Sequence, residues 1–379
     1  MLKNRSKQKA SAKEGDFAVF LIKTEVVAYT KNMKIVFAGG GTAGHVTPNV
    51  ALINNLDKTD KVWYFGGDGI EKSLVKSQTA ANYVKISAPK FARKFTLKNL
   101  AIPFCLAKSI TYCKKQLKSI CPDVVFAKGG YLSLPVVAAA KSLKIPVVVH
   151  ESDISVGLAN KLCGGKNVLK LTAFPTTKWK NSLCVGAPLR KQIYSADAKN
   201  GLKTMGFDGK KPVLLFLGGS LGAVQLNDLA FDVAPALKNE FDIFVVTGKG
   251  KKIRADGVRS AEFVDNIFDL YKAASLCVTR GGANTLFELT AAGVPFVVIP
   301  LKKGSRGEQL QNAKYFCEVG CGKVFDSDSD DLVSVVRYVE KNKYVFKDAA
   351  RRQKVDGTPK ITEILKQTAK NHALPAIRG

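Results

Sequence analysis

Acidic residues are scarce in this chain: 31 Asp and Glu stand against 59 Lys and Arg, and the formal net charge is +28. A field of that sign favours polyanions, meaning nucleic acid, anionic lipid surfaces or phosphorylated substrates. Histidine is scarcer still, present only as His45, His150 and His372, and none of the eight cysteines stands in a C-x-x-C pair. That supply does not assemble a zinc-type ligand set, so no metal site is expected. The cysteines are expected to pack as small apolar residues in a reducing, intracellular compartment. Long hydrophobic runs are missing too. None approaches the ~18–20 residues that a membrane-spanning helix needs, which excludes helical spans. An RNP-like aromatic motif and a basic heptad region are also missing, which argues against nucleic acid as the target of the charge.

What remains is globular. Hydrophobic residues make up 46% of the chain and charged ones 24%, and 379 residues exceed one ordinary α/β core, so two domains are expected. Residues 1–32 differ from the rest: Met1 to Lys13 is polar and basic, and the apolar run Phe17 to Ile22 is too short for a signal-peptide core. They read as a flexible extension or a mis-assigned start, with the functional chain beginning at Met33. Residues 33–185 then form a first domain and 186–350 a second. A helix and tail over 351–379 follow, with a return to the first domain as one option.

The chain is organised around Val36 to Pro48, V-F-A-G-G-G-T-A-G-H-V-T-P. The apolar run Lys34–Ala38 enters three glycines, and a helical pattern begins near Val46. Strand, glycine turn and helix start point bare backbone N–H groups at an anionic or hydroxyl-rich ligand. A tight turn needing glycine for geometry alone is the plainer reading. A related loop half a chain later favours the ligand: Pro212–Leu217 runs into Gly218-Gly219-Ser220-Leu221-Gly222-Ala223. Apolar strands at Val62–Phe65, Val124–Phe126, Pro146–Val149, Phe244–Thr247 and Leu276–Thr279 likewise end in glycine or polar residues. This rhythm predicts βαβ units and parallel sheets with ligands at the strands' carboxyl ends. Between Gly164 and Pro188 the pattern weakens, and Val185 to Arg190 reads as a junction.

Glycines before the helical segment Ala283–Ala292 let a phosphate approach its N-terminus, with Thr285 adding a hydroxyl. Glu288, about one and a half turns in, suits a ribose, and Gln309 in the polar stretch Lys302–Asn312 suits a neutral sugar. From Leu100, apolar residues at Phe104, Ala107, Ile110, Leu117 and Ile120 predict an amphipathic helix, its later part packed on the sheet. Its other face carries Lys108, Lys114, Lys115 and Lys118. Ahead of it Phe91, Arg93, Lys94, Phe95 and Lys98 suit contact with anionic lipid head groups.

From Met33 to about Phe325 the chain closely resembles the MurG family of bacterial glycosyltransferases. The matching stretches are G-G-G-T-A-G-H-V-T-P, K-G-G-Y-L-S-L-P, H-E-S-D-I-S-V-G-L-A-N-K, V-G-A-P-L-R, G-G-S-L-G-A, R-G-G-A-N-T-L-F-E-L and S-R-G-E-Q-L-Q-N-A. The resemblance implies a GT-B fold, two Rossmann-like domains with parallel sheets facing a cleft. It also implies transfer of N-acetylglucosamine from UDP-N-acetylglucosamine to undecaprenyl-pyrophosphoryl-N-acetylmuramyl-pentapeptide in peptidoglycan synthesis. On matching positions, Arg190 and the backbone around Val264 and Ile267 would contact uracil. Ser220 and Thr285 would contact the diphosphate, with Arg280 in support, Glu288 the ribose and Gln309 the amino sugar. Gly41, Thr42, Ala43, Gly44, Tyr131, Glu151 and Asn160 would line the acceptor side and the sugar end of the cleft, and Asp153 would reach the transferred sugar. The implied partners are the UDP-sugar, the lipid acceptor, an anionic membrane surface on the cytoplasmic side and other cell-wall synthesis proteins, without nucleic acid. No cofactor is required, and dependence on a divalent metal stays open.

The chain departs from the family's pattern at Asp153, where many members have Asn, at Ala43, a frequent glycine, and at Glu308-Gln309, where others have paired glutamines. The expected chemistry is inverting displacement at the anomeric carbon by the acceptor's C4 hydroxyl. His45 is the expected general base, since an unperturbed imidazole titrates near pH ~6.5, with Glu151 or Asp153 as competitors. Other readings stand beside it: a UDP-N-acetylglucosamine 2-epimerase or another lipid glycosyltransferase of the same fold, and a basic membrane- or nucleic-acid-binding protein without activity.

Overall fold

A computed structural model describes residues 32–89, 101–218, 224–250, 255–301 and 307–375. The N-terminal extension, the lipid-facing set Phe91, Arg93, Lys94, Phe95 and Lys98, and Ser220 in the second glycine loop lie outside the described residues.

Seven parallel strands form the first sheet: β1 (Lys34–Ala38), β2 (Lys61–Gly66), β3 (Asn82–Lys85), β4 (Val124–Ala127), β5 (Val147–Glu151), β6 (Val168–Thr172) and β7 (Ser182–Cys184), in the order β3-β2-β1-β4-β5-β6-β7. Six more form the second: β8 (Val213–Leu217), β9 (Asp242–Val246), β10 (Val258–Ala261), β11 (Ala274–Thr279), β12 (Phe296–Val298) and β13 (Gly322–Val324), in the order β10-β9-β8-β11-β12-β13. The expected pair of parallel α/β sheets is therefore present. β4, β8 and β11 are buried along their whole length, as strands covered by helices on both faces must be.

The helices of the first half are α1 (Ala43–Ile53), α2 (Ile70–Gln78), α3 (Ile102–Ile120), α4 (Ser133–Ser142) and α5 (Leu158–Cys163). The second half carries α6 (Ala198–Met205), α7 (Val224–Leu237), α8 (Ile267–Ala273), α9 (Ala283–Ala292), α10 (Glu308–Glu318), α11 (Leu332–Lys341), α12 (Lys343–Arg352) and α13 (Thr358–Asn371). In each sheet the strand order reverses once, between β1 and β4 and between β8 and β11, and such a reversal opens a crevice at the strands' carboxyl ends. The first crevice receives the loop after β1, and the second receives the start of α9.

The weak stretch Gly164–Pro188 folds as β6 and β7. Both are hard to read from sequence: half-buried Lys170 interrupts β6, and β7 is a three-residue edge strand. The amphipathic helix is also only partly as expected. As α3 it anchors through Cys113 and Leu117 beside Val136 and Val137 of α4, while Phe104 is 77% exposed and Ala107 also faces solvent. Among the described residues no helix is long and apolar enough to cross a membrane.

Two connections fix how the halves meet. Phe174, just past β6 and fully buried, packs edge-on against Phe287 of α9 at 4.9 Å and Tyr315 of α10 at 5.1 Å. At the junction, Ala187 donates to the Val355 carbonyl at 2.9 Å, and Thr358 caps the Leu189 N–H at 2.7 Å. From there α13 runs along α1, where Asn55 donates to Thr362 at 3.0 Å and Lys366 pairs with Asp57 at 2.7 Å.

Candidate active site

The loop after β1 is shaped by what cannot fit in it. Gly41 and Gly130 both sit at positive φ, +89° and +79°. A Cβ on Gly41 would lie 3.0 Å from the Tyr131 ring, and one on Gly130 would lie 2.5 Å from the Gly40 carbonyl oxygen and 3.2 Å from the His45 ring. The loops after β1 and β4 therefore cross backbone to backbone. Glu71, 1% exposed, ties the loop after β1 to the turn after β2 by accepting the Gly41 N–H at 3.3 Å and the Gly67 N–H at 3.0 Å. Helix α1 starts at Ala43, three residues before the expected point, which makes His45 part of its first turn. Gly41, Thr42 and Gly44 are exposed, so their backbone is open to a ligand.

Behind this loop lies a group that the motif reading did not single out. Lys128 directly follows β4 in the run Phe126-Ala127-Lys128-Gly129, is 1% exposed, and donates its ammonium to the Ser152 hydroxyl. Burial pushes its pKa down to about 8, against the pull of Glu151 and Asp153. His45 is held below its ordinary pKa, first by burial and then by the Lys128 cation, with Glu151 and the Lys128 backbone opposing. The imidazole is thus neutral at pH 7, as a base must be before it accepts a proton.

Glu151 holds the turn that follows it. One oxygen accepts the Asp153 N–H at 3.0 Å, and the other accepts the Gly157 N–H at 2.8 Å and the Asn160 amide at 2.9 Å. Asn160, 3% exposed, also donates to the His150 carbonyl at 3.1 Å. Both residues brace the turn after β5, so the structure gives Glu151 and Asn160 a positioning part beside the catalytic and acceptor-lining parts expected for them. Asp153 remains at the cleft, its pKa pushed up to about 6 by burial and then by the Glu151 charge.

On the other half, Arg190 donates to Glu288 at 3.1 Å and lies over the Phe268 ring at 4.4 Å, while Tyr271 donates to the second Glu288 oxygen at 3.5 Å. Burial raises the Glu288 pKa, and Arg190 opposes that rise. The uracil and ribose candidates thus form one cluster. Ile267 opens α8 directly before Phe268, and Val264 is half-buried in the approach. Helix α9 is preceded by Gly282, which offers no side-chain cap, and has no acid in its first turn, leaving its N–H groups, with Thr285 beside them, to an anion. Arg280 donates to the Ile299 carbonyl at 3.1 Å and to Gln225 at 2.9 Å, which ties the loop after β11 to the start of α7. Gln309 accepts the Leu301 N–H at 3.2 Å, so its NH₂ group is what it offers a sugar. A cavity of about 490 Å³ lined by Lys272, Lys347 and Arg351 lies by Ala274, at the amino end of β11 and opposite this chemistry.

Two asparagines join the halves, and neither was expected. Asn284 donates to the Gly44 carbonyl at 2.9 Å and accepts from Ser152 at 3.3 Å. Asn312 donates to Asp153 at 2.9 Å and accepts the Ile154 N–H at 3.0 Å. Both stand inside stretches noted for their neighbours, G-G-A-N-T and Q-L-Q-N. An amide beside a glycine helix start was the available signal.

Residues 35–167 match the glycosyltransferase family 28 N-terminal domain, and residues 213–366 match the family's C-terminal domain. A protein of Clostridium botulinum strain Hall is 37% identical over 353 residues, covering 89% of this chain and 99% of its own. It is described as UDP-N-acetylglucosamine–N-acetylmuramyl-(pentapeptide) pyrophosphoryl-undecaprenol N-acetylglucosamine transferase, as is a protein of Lachnospira eligens, 37% identical over 354 residues with the same coverage. Among solved structures, Acinetobacter baumannii MurG superposes with a TM-score of 0.69 at 24% identity, over 89% of this chain and all of that one, a likeness of fold.

Proposed function

The chain belongs to the MurG group of glycosyltransferase family 28, and on that premise we propose how its cleft works. It transfers N-acetylglucosamine from UDP-N-acetylglucosamine to undecaprenyl-pyrophosphoryl-N-acetylmuramyl-pentapeptide, a step of peptidoglycan synthesis. The observation that carries the reading is the bond from Asn284 to Gly44, which sets the bare N-terminus of α9 opposite the glycine loop of α1.

The uracil sits by Arg190 and the backbone of Val264 and Ile267, the ribose on Glu288, and the diphosphate at α9 with Thr285. Helix N–H groups and dipole favour that negative charge as it grows in the transition state. The amino sugar reaches Gln309 and Asp153. The acceptor's pyrophosphate and hydroxyl approach Gly41 to Gly44 and Tyr131. Its C4 oxygen bonds to the anomeric carbon as the bond to the diphosphate oxygen breaks. The electron pair leaves on UDP, the configuration inverts, and the hydroxyl proton passes to neutral His45.

The acceptor lies in a bilayer, so the enzyme works as a peripheral protein on its cytoplasmic face. Phe104, with Lys108 and Lys115 also exposed on α3, supports a membrane contact there. The test is UDP release from UDP-N-acetylglucosamine with and without a lipid acceptor. The proposal requires release only when acceptor is present, and acceptor-independent turnover overturns it.

A further inference from the structure

Lys128 is costly where it stands. An ammonium withdrawn from water is tolerated only with partners, and this one has the Ser152 hydroxyl as its hydrogen-bond acceptor and Glu151 and Asp153 as counter-charges. From Ser152 the chain of bonds continues. The hydroxyl donates to Asn284 Oδ1 at 3.3 Å, and Asn284 Nδ2 donates to the Gly44 carbonyl at 2.9 Å, one residue before His45. The donor and acceptor roles run one way through all three bonds, which also fixes the Asn284 amide orientation. The relay thus starts with a cation near the imidazole and ends by clamping the imidazole's own backbone. Its middle member is the second residue of α9, the helix that receives the diphosphate in the reaction proposed above.

We propose that Lys128 and Asn284 are positioning residues for His45: the buried ammonium, tied to Ser152, places a positive charge beside the ring, and Asn284 carries the placement of the donor half to the loop that bears it. This rests on the reading of His45 as the base. Three charges or dipoles bear on the ring: the Lys128 ammonium and backbone from the end of β4, and Glu151 from the end of β5. Of these, the ammonium favours the neutral ring and the other two favour the imidazolium. A neighbouring cation raises the free energy of an imidazolium and leaves the neutral ring untouched. Removing it while Glu151 stays leaves the ring facing a net negative environment.

Only three histidines are present, so each imidazole can be followed by NMR titration, and His45→Gln identifies the His45 signal. In Lys128→Met the His45 midpoint should rise by about one unit or more, while the charge-keeping Lys128→Arg should stay near the parent value. Should Lys128→Met fail to fold, Lys128→Gln removes the charge while keeping a side-chain amide that can still donate to Ser152, and its His45 midpoint should also rise. Asn284→Ala should keep the midpoint and the affinity for UDP itself, yet lower kcat about tenfold or more through lost placement. An unmoved His45 midpoint in a folded neutral Lys128 variant overturns the role of Lys128. An unchanged kcat, or a kcat loss matched by lost UDP affinity, overturns that of Asn284. The titration needs no acceptor, so failure of the parent enzyme to glycosylate lipid is a separate result that removes the functional reading instead.

Discussion

Asn312 of α10 donates to the Asp153 carboxylate at 2.9 Å and accepts the Ile154 N–H at 3.0 Å, so one amide of the second half closes the turn after β5. Asp153 pays for this position by ionising near pH 6, shifted first by burial and then by Glu151. Its folded pKa stands above the unfolded one, so the folded state holds the proton more tightly. Stability therefore falls as pH rises from 3.8 to about 6 and stays lower above that window. Asp153→Asn removes the cost and keeps an acceptor for Asn312. Thermal unfolding at pH 7.5 should show a gain of about 1–3 kcal/mol, and no gain below pH ~4.

The Arg190–Glu288 pair is partly buried, with side chains 23% and 13% exposed. Glu288→Ala strands the guanidinium over Phe268, where its Nε already has no hydrogen-bond partner among the described residues. Chemical denaturation should report a loss of about 1–3 kcal/mol, and calorimetry should find UDP binding weakened about tenfold or more. Glu288→Gln keeps the volume and should be milder in stability while still weakening UDP.

Membrane contact through α3 separates from catalysis. Phe104→Ser with Lys108→Glu removes an exposed ring and reverses an exposed charge without touching Cys113 or Leu117, which anchor the helix. Co-sedimentation with anionic vesicles should fall about tenfold, with turnover of a soluble acceptor unchanged.

The crossing of the two glycine loops leaves no room for a methyl group. Gly130→Ala puts a Cβ 2.5 Å from the Gly40 carbonyl at a φ of +79°, and the Gly40 loop has to move to admit it. A kcat loss of about 100-fold is expected in steady-state assays, with a stability loss of about 1–3 kcal/mol.

The repeating strand–glycine–helix pattern made the two parallel sheets and their binding edges legible, because buried parallel strands read as unbroken apolar runs. Strands β6 and β7 were not legible, since Lys170 and short length hide them. Within the site, glycines and conspicuous side chains such as His45, Arg190 and Glu288 could be read from local pattern. Their partners could not. Lys128, Ser152, Asn284 and Asn312 act through residues 24, 132 and 159 positions away, distances that only folding brings together. Glu151 differs: its three donors lie only 2, 6 and 9 positions on, but the turn that folds them back onto its carboxylate has no local pattern to announce it.

The central claim is transfer to the C4 hydroxyl of a lipid-linked muramyl acceptor. NMR and mass analysis of the lipid product from UDP-N-acetylglucosamine and that acceptor test it most directly. The account predicts one added N-acetylhexosamine, β-linked at C4, with one UDP released per linkage. Unmodified acceptor beside released UDP, or a donor converted to its C2 epimer, would contradict it.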